Sequence, residues 1–316
     1  MMILTVTLNP AIDKVYEVES FAIGEVFRPS GMWATAGGKG LNVSRVAGIL
    51  GAEVTAMGFL GGGNGQFIRS RLHEQGIRDA FIEIEGDSRI CIAINDPISD
   101  TSTEVLEWGP VISPKEQEGF LIDFKNIAKK ADIVTISGSL PRGVAVNFYG
   151  RLIEISKGLG KRLLLDTSGQ TLVKSLEYRP FMIKPNETEL ETIMGKKMDS
   201  EYEILEASKE IHQNGIELVC VTLGAGGCIA ATDEGAFILK APPIETISTV
   251  GSGDSFIAGC AVALTQGKAI EDVLRTGMAC GMANTQFAGT GHVSRELVNK
   301  FFNLVTVSRG RGQRHI

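Results

Sequence analysis

The run TVGSGDSFIAGCAVAL at 249–264 sets an aspartate on a glycine-rich turn at the head of a long segment of small and apolar residues. Gly251, Ser252 and Gly253 permit close approach of the backbone to a ligand. The first turn of the helix that follows offers unpaired N–H groups and the positive end of the helix dipole, which suit the negative oxygens of a phosphoryl group in flight. Asp254 stands where it can take a proton. The same placement also describes an N-cap aspartate with no part in chemistry, and this run alone does not separate the two readings.

A second turn of this kind is AGGKGLNVSRVAGIL at 36–50, where Lys39 and Asn42 stand beside an anion-ready helix start. It is not a P-loop, because Gly40 rather than Ser or Thr follows Lys39 and the spacing to an earlier glycine is wrong. A dinucleotide fingerprint is missing too: Phe256 stands where GSGDSF needs its third glycine, and GGGNGQF at 61–67 fails the spacing. A tight strand-to-helix turn is the plain alternative. In FMIKPNETEL at 181–190, Asn186, Glu187 and Glu189 open a helix just after Lys184. Acidic residues there complement the dipole, but Asn and Glu three residues apart are also hard oxygen ligands fit for a hydrated magnesium ion beside a nucleotide phosphate. VTLGAGGC at 221–228 supplies glycine-rich backbone for a nucleotide. The four histidines are scattered without carboxylate or thiolate company, and SGSLPRG at 137–143 approaches a GxSxG nucleophile elbow only to be broken by Leu140 and Pro141.

The elements that must carry these turns alternate. ILTVTL at 3–8 is an apolar, β-branched run halted by Asn9-Pro10, as expected of a buried strand. VTAMGF, DIVTIS, RLLLD and LVCVTL repeat that pattern, and amphipathic segments such as NGQFIRSRLHEQG and VNFYGRLIEISKG fall between them. This predicts a layered, mostly parallel sheet with helices on both faces. KVYEVE at 14–19 and the stretch 89–108 read as strands without intervening helices, and so as a small separate sheet or lid, with a simple β extension of the large domain as the plain alternative. The expected division is a large α/β domain over 1–10, 37–88 and 109–305, a small β lid over 11–36 and 89–108, and a frayed basic tail over 306–316.

Composition narrows the function classes. A 316-residue chain with 43% hydrophobic and 22% charged residues can bury a sizeable core. A net charge of −6 argues against a nucleic-acid surface and for small-molecule partners. Cys91, Cys220, Cys228, Cys260 and Cys280 lie far apart in mostly apolar runs and read as reduced core residues. No signal-peptide pattern opens the chain and no apolar stretch nears the roughly 20 residues of a membrane helix, so the expectation is a cytoplasmic protein without a membrane partner.

Taken in order, TLNPAID at 7–13, AGGKGLNVSR at 36–45, SRICIAI at 88–94, SGSLPRG, IKPNETEL at 183–190, TLGAGG at 222–227 and TVGSGDSF at 249–256 resemble the PfkB family of ribokinase-like carbohydrate kinases. Within it they resemble the branch of tagatose-6-phosphate kinase and 1-phosphofructokinase. The match spans nearly the whole chain. The resemblance implies a ribokinase-like three-layer α/β/α fold, with a mostly parallel central sheet and a small β-sheet lid whose edges can pair two subunits into a homodimer. It implies ATP and Mg2+ as cofactors and a sugar phosphate as the other partner. Asp254 becomes the catalytic base beside the anion hole of Gly251, Ser252 and Gly253. Asp13, with Gly38 and Asn42 nearby, would bind sugar hydroxyls, while Arg89, Ser139 and Lys39 would hold the phosphate already on the substrate. An arginine suits that task because its planar, permanently charged fork matches phosphate oxygens. Asn186 and Glu189 match a magnesium motif acting through water, and Lys184, Thr222, Gly224 and Gly227 would line the ATP path with Asn284 near adenine.

One departure is the segment AIGEVFR, where some related phosphofructokinases carry a lysine and Arg28 is the candidate replacement. GFLGGGNGQFI, EGDSRICIAI and TEVLEWGP look more like tagatose-6-phosphate kinase than 1-phosphofructokinase. The expected reaction is therefore conversion of tagatose 6-phosphate to tagatose 1,6-bisphosphate. Conversion of fructose 1-phosphate to the 1,6-bisphosphate is the alternative among enzymes, and a sugar-phosphate sensor of the same fold without turnover is the alternative among binding proteins.

Overall fold

Apolar runs bounded by turn residues become strands, and the run Met2–Thr7 is buried at every position, as a strand covered on both faces must be. The computed structural model describes residues 1–310. In chain order the first elements are β1 (Met2–Thr7), β2 (Ala11–Glu17), β3 (Gly31–Gly37), α1 (Lys39–Ile49), β4 (Glu53–Leu60), α2 (Gly62–Glu74), β5 (Arg78–Asp79), β6 (Ile82–Glu83), β7 (Arg89–Asp96) and β8 (Thr101–Leu106). Next come α3 (Pro114–Ala128), β9 (Ile133–Ser137), α4 (Phe148–Gly158), β10 (Arg162–Asp166), α5 (Gly169–Leu176), β11 (Met182–Ile183), α6 (Glu187–Met194), α7 (Glu201–Gln213) and β12 (Leu218–Thr222). The remainder is β13 (Cys228–Thr232), β14 (Gly235–Lys240), α8 (Ser252–Thr265), α9 (Ile270–Asn284), α10 (Arg295–Leu304) and β15 (Thr306–Arg309).

The large sheet runs β15-β14-β13-β12-β11-β10-β9-β1-β4-β5, with β6 also paired to β4. It is parallel from β12 to β5 and antiparallel across β13, β14 and β15. Side chains on its two faces form two cores. One holds Leu41 of α1, Leu72 of α2, the apolar length of α8, Leu274 of α9 and Phe301 of α10. The other holds Phe120 of α3, Tyr149 of α4, Leu172 of α5, Leu190 of α6 and Ile211 of α7. These are the three layers that the β-α alternation predicts.

The smaller sheet has the order β3-β2-β7-β8, with β2 and β7 parallel and both outer pairs antiparallel. Its register sets Asp13 beside Thr35 and Cys91, and Ala11 beside Arg89. Side chains alternate along a strand, so Asp13, Thr35, Cys91, Arg89 and Glu104 share one face. Buried Asp96 accepts hydrogen bonds from the N–H groups of Ser20 at 2.9 Å, Phe21 at 3.0 Å and Ile98 at 3.0 Å, and from the Ser99 hydroxyl at 2.7 Å. That carboxylate ties both loops at this end of the sheet together.

The reading of 306–316 as a frayed tail is corrected over its first residues. Thr306–Arg309 form the edge strand β15 on β14, the Arg309 guanidinium lies 5.3 Å from the Phe237 ring centroid, and Gly310 N donates to Ala236 O at 2.9 Å. Composition missed it because an edge strand needs only a backbone ladder and an amphipathic stem laid on an aromatic ring. The rest of that expected tail, 311–316, lies outside the described residues.

Helix α8 is buried from Asp254 to Leu264, so it is apolar all round, as a helix trapped between layers must be. It meets α9 across glycines: a Cβ at Gly259 would lie 2.7 Å from both Cys280 Sγ and the Thr276 carbonyl oxygen. Overpacking at such a contact strains the backbone. Gly259→Ala should therefore cost about 1–3 kcal/mol, read as a lower urea midpoint with an unchanged m-value.

Candidate active site

Parallel strands place their carboxyl ends along one rim of a sheet, where ligands of open α/β sheets bind. Here Asp166 ends β10, Lys184 follows β11 and Thr222 ends β12. With the starts of α1 and α8 and the Asp13 face of the small sheet, they line a cleft of ≈ 1480 Å³. Of the residues predicted from sequence, this cleft brings together Asp13, Gly38, Lys39, Asn42, Arg89, Lys184, Asn186, Thr222, Gly224, Gly227, Gly251, Ser252, Gly253 and Asp254.

Asp254 lies in the first turn of α8 and is only 5% exposed. Its Oδ2 accepts a hydrogen bond from Asn42 Nδ2 at 2.8 Å. Burial raises its pKa to about 7, helped by the negative charge of Asp166 and opposed by the Asn42 hydrogen bond and the charges of Lys39 and Lys184. A carboxyl poised near neutrality suits a general base. It is not the N-cap: Gly251 takes that place with φ 85°, a left-handed conformation that favours glycine. Ser252 N donates to Thr249 O at 3.3 Å, and the first bond within the helix is Ser255 N to Gly251 O at 2.9 Å. The amides of Gly253 and Asp254, between these two, remain to face a ligand. Lys184 overlies them, since a Cβ on Gly253 would come 3.1 Å from its Nζ.

Asn284 is fully buried at the end of α9, and its carboxamide splints the turn before α8. Its Nδ2 donates to Val250 O at 2.8 Å and Ser252 Oγ at 3.4 Å, while its Oδ1 accepts from Ser255 Oγ at 3.2 Å and His292 N at 3.2 Å.

Asp166, 1% exposed, has Lys184 Nζ at 3.3 Å and Lys39 Nζ at 3.8 Å. Burial pulls the Lys184 pKa down, but the carboxylates of Asp166, Glu189 and Asp254 outweigh it and leave the pKa raised. The buried ammonium therefore stays charged. Neither Asp166 oxygen has an aligned hydrogen-bond donor among the described residues, which fits a carboxylate turned toward a hydrated cation. Asn186 and Glu189 form a capping box: Asn186 Oδ1 accepts from Glu189 N at 2.8 Å and Glu189 Oε2 accepts from Asn186 N at 2.9 Å. Among the described residues no group of three or more His, Cys, Asp or Glu side chains could cage a metal. The side-chain oxygens of Asn186, Glu189 and Asp166 are of the hard kind that Mg2+ takes alongside its waters.

On the opposite wall, burial raises the Asp13 pKa, while Arg89, Arg45 and the Gly38 amide pull it down. A Cβ at Gly37 would overlap the Asp13 carboxylate. Arg89 Nε donates to Asn9 O at 3.1 Å and its Nη1 to Glu107 O at 3.1 Å, which fixes the plane of the guanidinium at the cleft. Ser139 is exposed and outside the cleft lining, joined to Arg89 through Asn9, whose Nδ2 donates to Ser139 Oγ at 3.5 Å. Arg28 stands exposed in the loop before β3 and is not among the residues lining the cleft.

Two residues of the site escaped the sequence reading. Asp166 was legible as the last residue of RLLLD, at the carboxyl end of a predicted parallel strand. Arg45 was legible as the residue three after Asn42, and so on the same helix face. Its Nη1 donates to Asn42 Oδ1 at 3.0 Å and Thr290 O at 2.9 Å, and its Nη2 to Ala36 O at 2.7 Å.

Solved structures share this architecture. A Staphylococcus aureus protein assigned as a phosphofructokinase is 32% identical, with 99% of this chain and 100% of that one covered at a TM-score of 0.85. Phosphofructokinase-2 from Escherichia coli in complex with fructose-6-phosphate is 26% identical over 96% of this chain and 98% of that one, at a TM-score of 0.89. A Thermotoga maritima protein assigned as a 1-phosphofructokinase is 26% identical over 98% and 100%, also at 0.89. The model of the pfkB family of carbohydrate kinases matches residues 6–296, and with the glycine-rich start of α8 and the two-sheet cleft in place, this chain belongs to that family.

Proposed function

We propose that this chain transfers the γ-phosphoryl group of ATP to a hydroxymethyl oxygen of a ketohexose phosphate, with tagatose 6-phosphate as the preferred acceptor. The observation that carries this reading is the buried Asp254 carboxylate, held by Asn42 at the open amides of α8 and facing a wall that bears Asp13 and Arg89. Asp254 accepts the acceptor hydroxyl proton as the new O–P bond forms and the bond from the γ-phosphorus to the bridging oxygen of ADP breaks. The amides of Gly253 and Asp254 stabilise the transferring group where its charge spreads. Lys184 and Lys39 add positive charge there, and Thr222, Gly224 and Gly227 line the nucleotide's path. Asn186 and Glu189, with Asp166, would hold magnesium through its waters, and the ion would supply neutralisation of the polyphosphate charge.

On the sugar side, Asp13 accepts from sugar hydroxyls and Arg89 takes the existing phosphate. The small sheet acts as a lid that keeps water from the phosphoryl group. The choice of tagatose 6-phosphate is supported by the runs GFLGGGNGQFI, EGDSRICIAI and TEVLEWGP. Likeness to the Thermotoga maritima protein favours fructose 1-phosphate as the second reading. The open edges β3 and β8, with Met32, Val105 and Trp108 exposed, support pairing of two copies through the lid.

Asp254→Asn should keep substrate affinity and lose about 10²–10⁴ in kcat; near-normal turnover would remove the base assignment. In the unchanged protein the carboxylate must be ionised to accept a proton. Its kcat/KM should therefore fall about tenfold per pH unit below about pH 7. A coupled ADP-release assay over tagatose 6-phosphate, fructose 1-phosphate and fructose 6-phosphate decides the acceptor, and the reading fails if the unphosphorylated sugars serve equally well. In the same assay, Arg89→Ala should raise KM for the sugar phosphate about 30-fold or more. Light scattering should give twice the 33.8 kDa chain mass; a monomer would end the pairing proposal.

A further inference from the structure

We propose that Arg45 is a positioning residue for the reaction, fixing the carboxamide of Asn42 in the orientation that donates to Asp254 and so aiming the base at the acceptor hydroxyl. The inference rests on the reading of Asp254 as base. A carboxamide has an accepting end and a donating end, and its neighbours decide which way each points. Asn42 Oδ1 accepts from Arg45 Nη1 at 3.0 Å and from Thr290 Oγ1 at 3.4 Å. With both donors on that end, the amide nitrogen must face Asp254, where it donates to Oδ2 at 2.8 Å.

The opposite orientation would aim a carbonyl oxygen at the base. It would repel the carboxylate and accept a hydrogen bond from the protonated form, holding the proton where the reaction needs a vacancy. Arg45 prevents this from three elements at once. Its fork spans Asn42 on α1, Ala36 near the end of β3 and Thr290 in the loop after α9. Gly291 (φ 61°) keeps that loop tight against Asn42, since a Cβ there would lie 2.7 Å from Asn42 Cα. Arg45 thus joins the sheet that carries Asp13 to the helix that carries Asn42. A lysine would keep a charge but not several donors in one plane.

The groups facing the pair are those already described: Asp166, Lys39 and Lys184 act on Asp254, while Asp13 and Asp254 are the anions that act on Arg45. Burial lowers the Arg45 pKa against them, but a guanidinium stays charged throughout the working pH range. Arg45 therefore holds Asn42 without itself titrating.

The test is a double-mutant cycle in kcat, measured with the ketohexose phosphate that turns over fastest, among Arg45→Met, Asn42→Ala, the double variant and the unchanged protein. Arg45→Met should lower kcat about 10²-fold, the scale of a misplaced catalytic group, with KM for ATP and sugar phosphate changed less than about threefold. In the Asn42→Ala background the same substitution should change kcat less than about threefold. A loss that persists in full without Asn42, appears only in KM as direct phosphate binding would give, or merely tracks the folded fraction in a thermal melt overturns the proposal. If Arg45→Met fails to fold, Arg45→Lys takes its place in the cycle and is judged by the same criterion: a kcat loss that disappears with Asn42→Ala supports it, and any other result overturns it. Failure of the base reading is seen separately, as turnover retained by Asp254→Asn.

Discussion

Burying a carboxylate at the head of a helix costs free energy unless something holds its charge, and the organisation of this protein follows from how Asp254 is held. One oxygen takes the Asn42 amide; the rest of its environment is the field of Lys39, Lys184 and Asp166. These four come from three places in the fold: Asn42 and Lys39 from α1, Asp166 from the end of β10, and Lys184 from just past β11. They meet because adjacent parallel strands end along one rim and because α1 and α8 both begin there. Moving any of these elements relative to the others would change the charge balance at Asp254 before it changed the core.

That dependence accounts for the close bracing of the scaffold around the site. Asn284 splints the turn before α8, glycines let α8 and α9 approach closely, and the Arg45 fork links α1 to β3 and to the loop after α9. The small sheet is built differently: its outer strands are open edges, and β8 is exposed along its whole length. On the proposed reaction, a closely braced Asp254 opposite a small sheet with open edges would let a substrate enter without disturbing the base.

The layers, the small sheet and most site residues were legible because each depends on local pattern: apolar runs, glycine-rich turns and acids in a first helical turn. What was not legible depends on partners distant in sequence. Asp166 looks like the end of a strand until Lys39 and Lys184 are brought beside it. Asn284 looks like a polar residue ending a helix until its bond to the Val250 carbonyl is seen. Thr306–Arg309 carry no apolar periodicity, yet pairing with β14 makes them a strand. The capping box of Asn186 and Glu189 shows the converse, since one local pattern serves both the helix start and the proposed magnesium role.

The charges in the cleft define what remains for ligands to supply. Lys14, Lys39, Arg45, Arg89 and Lys184 line it, but so do Asp13, Glu104, Asp166, Glu187 and Asp254. With cations and carboxylates equal in number, much of the positive charge is spent holding the protein's own acids in place, as the Asp166 ion pairs demonstrate. Two polyanions cannot then be gathered by side-chain charge alone. On the proposed reaction, the amides at the starts of α1 and α8 and a divalent cation must provide the difference. The same balance separates the roles of the two arginines. Arg45 spends its fork on protein oxygens around Asn42, whereas Arg89 has two of its nitrogens pinned by carbonyls, which on the proposed reaction would leave its Nη2 for a phosphate.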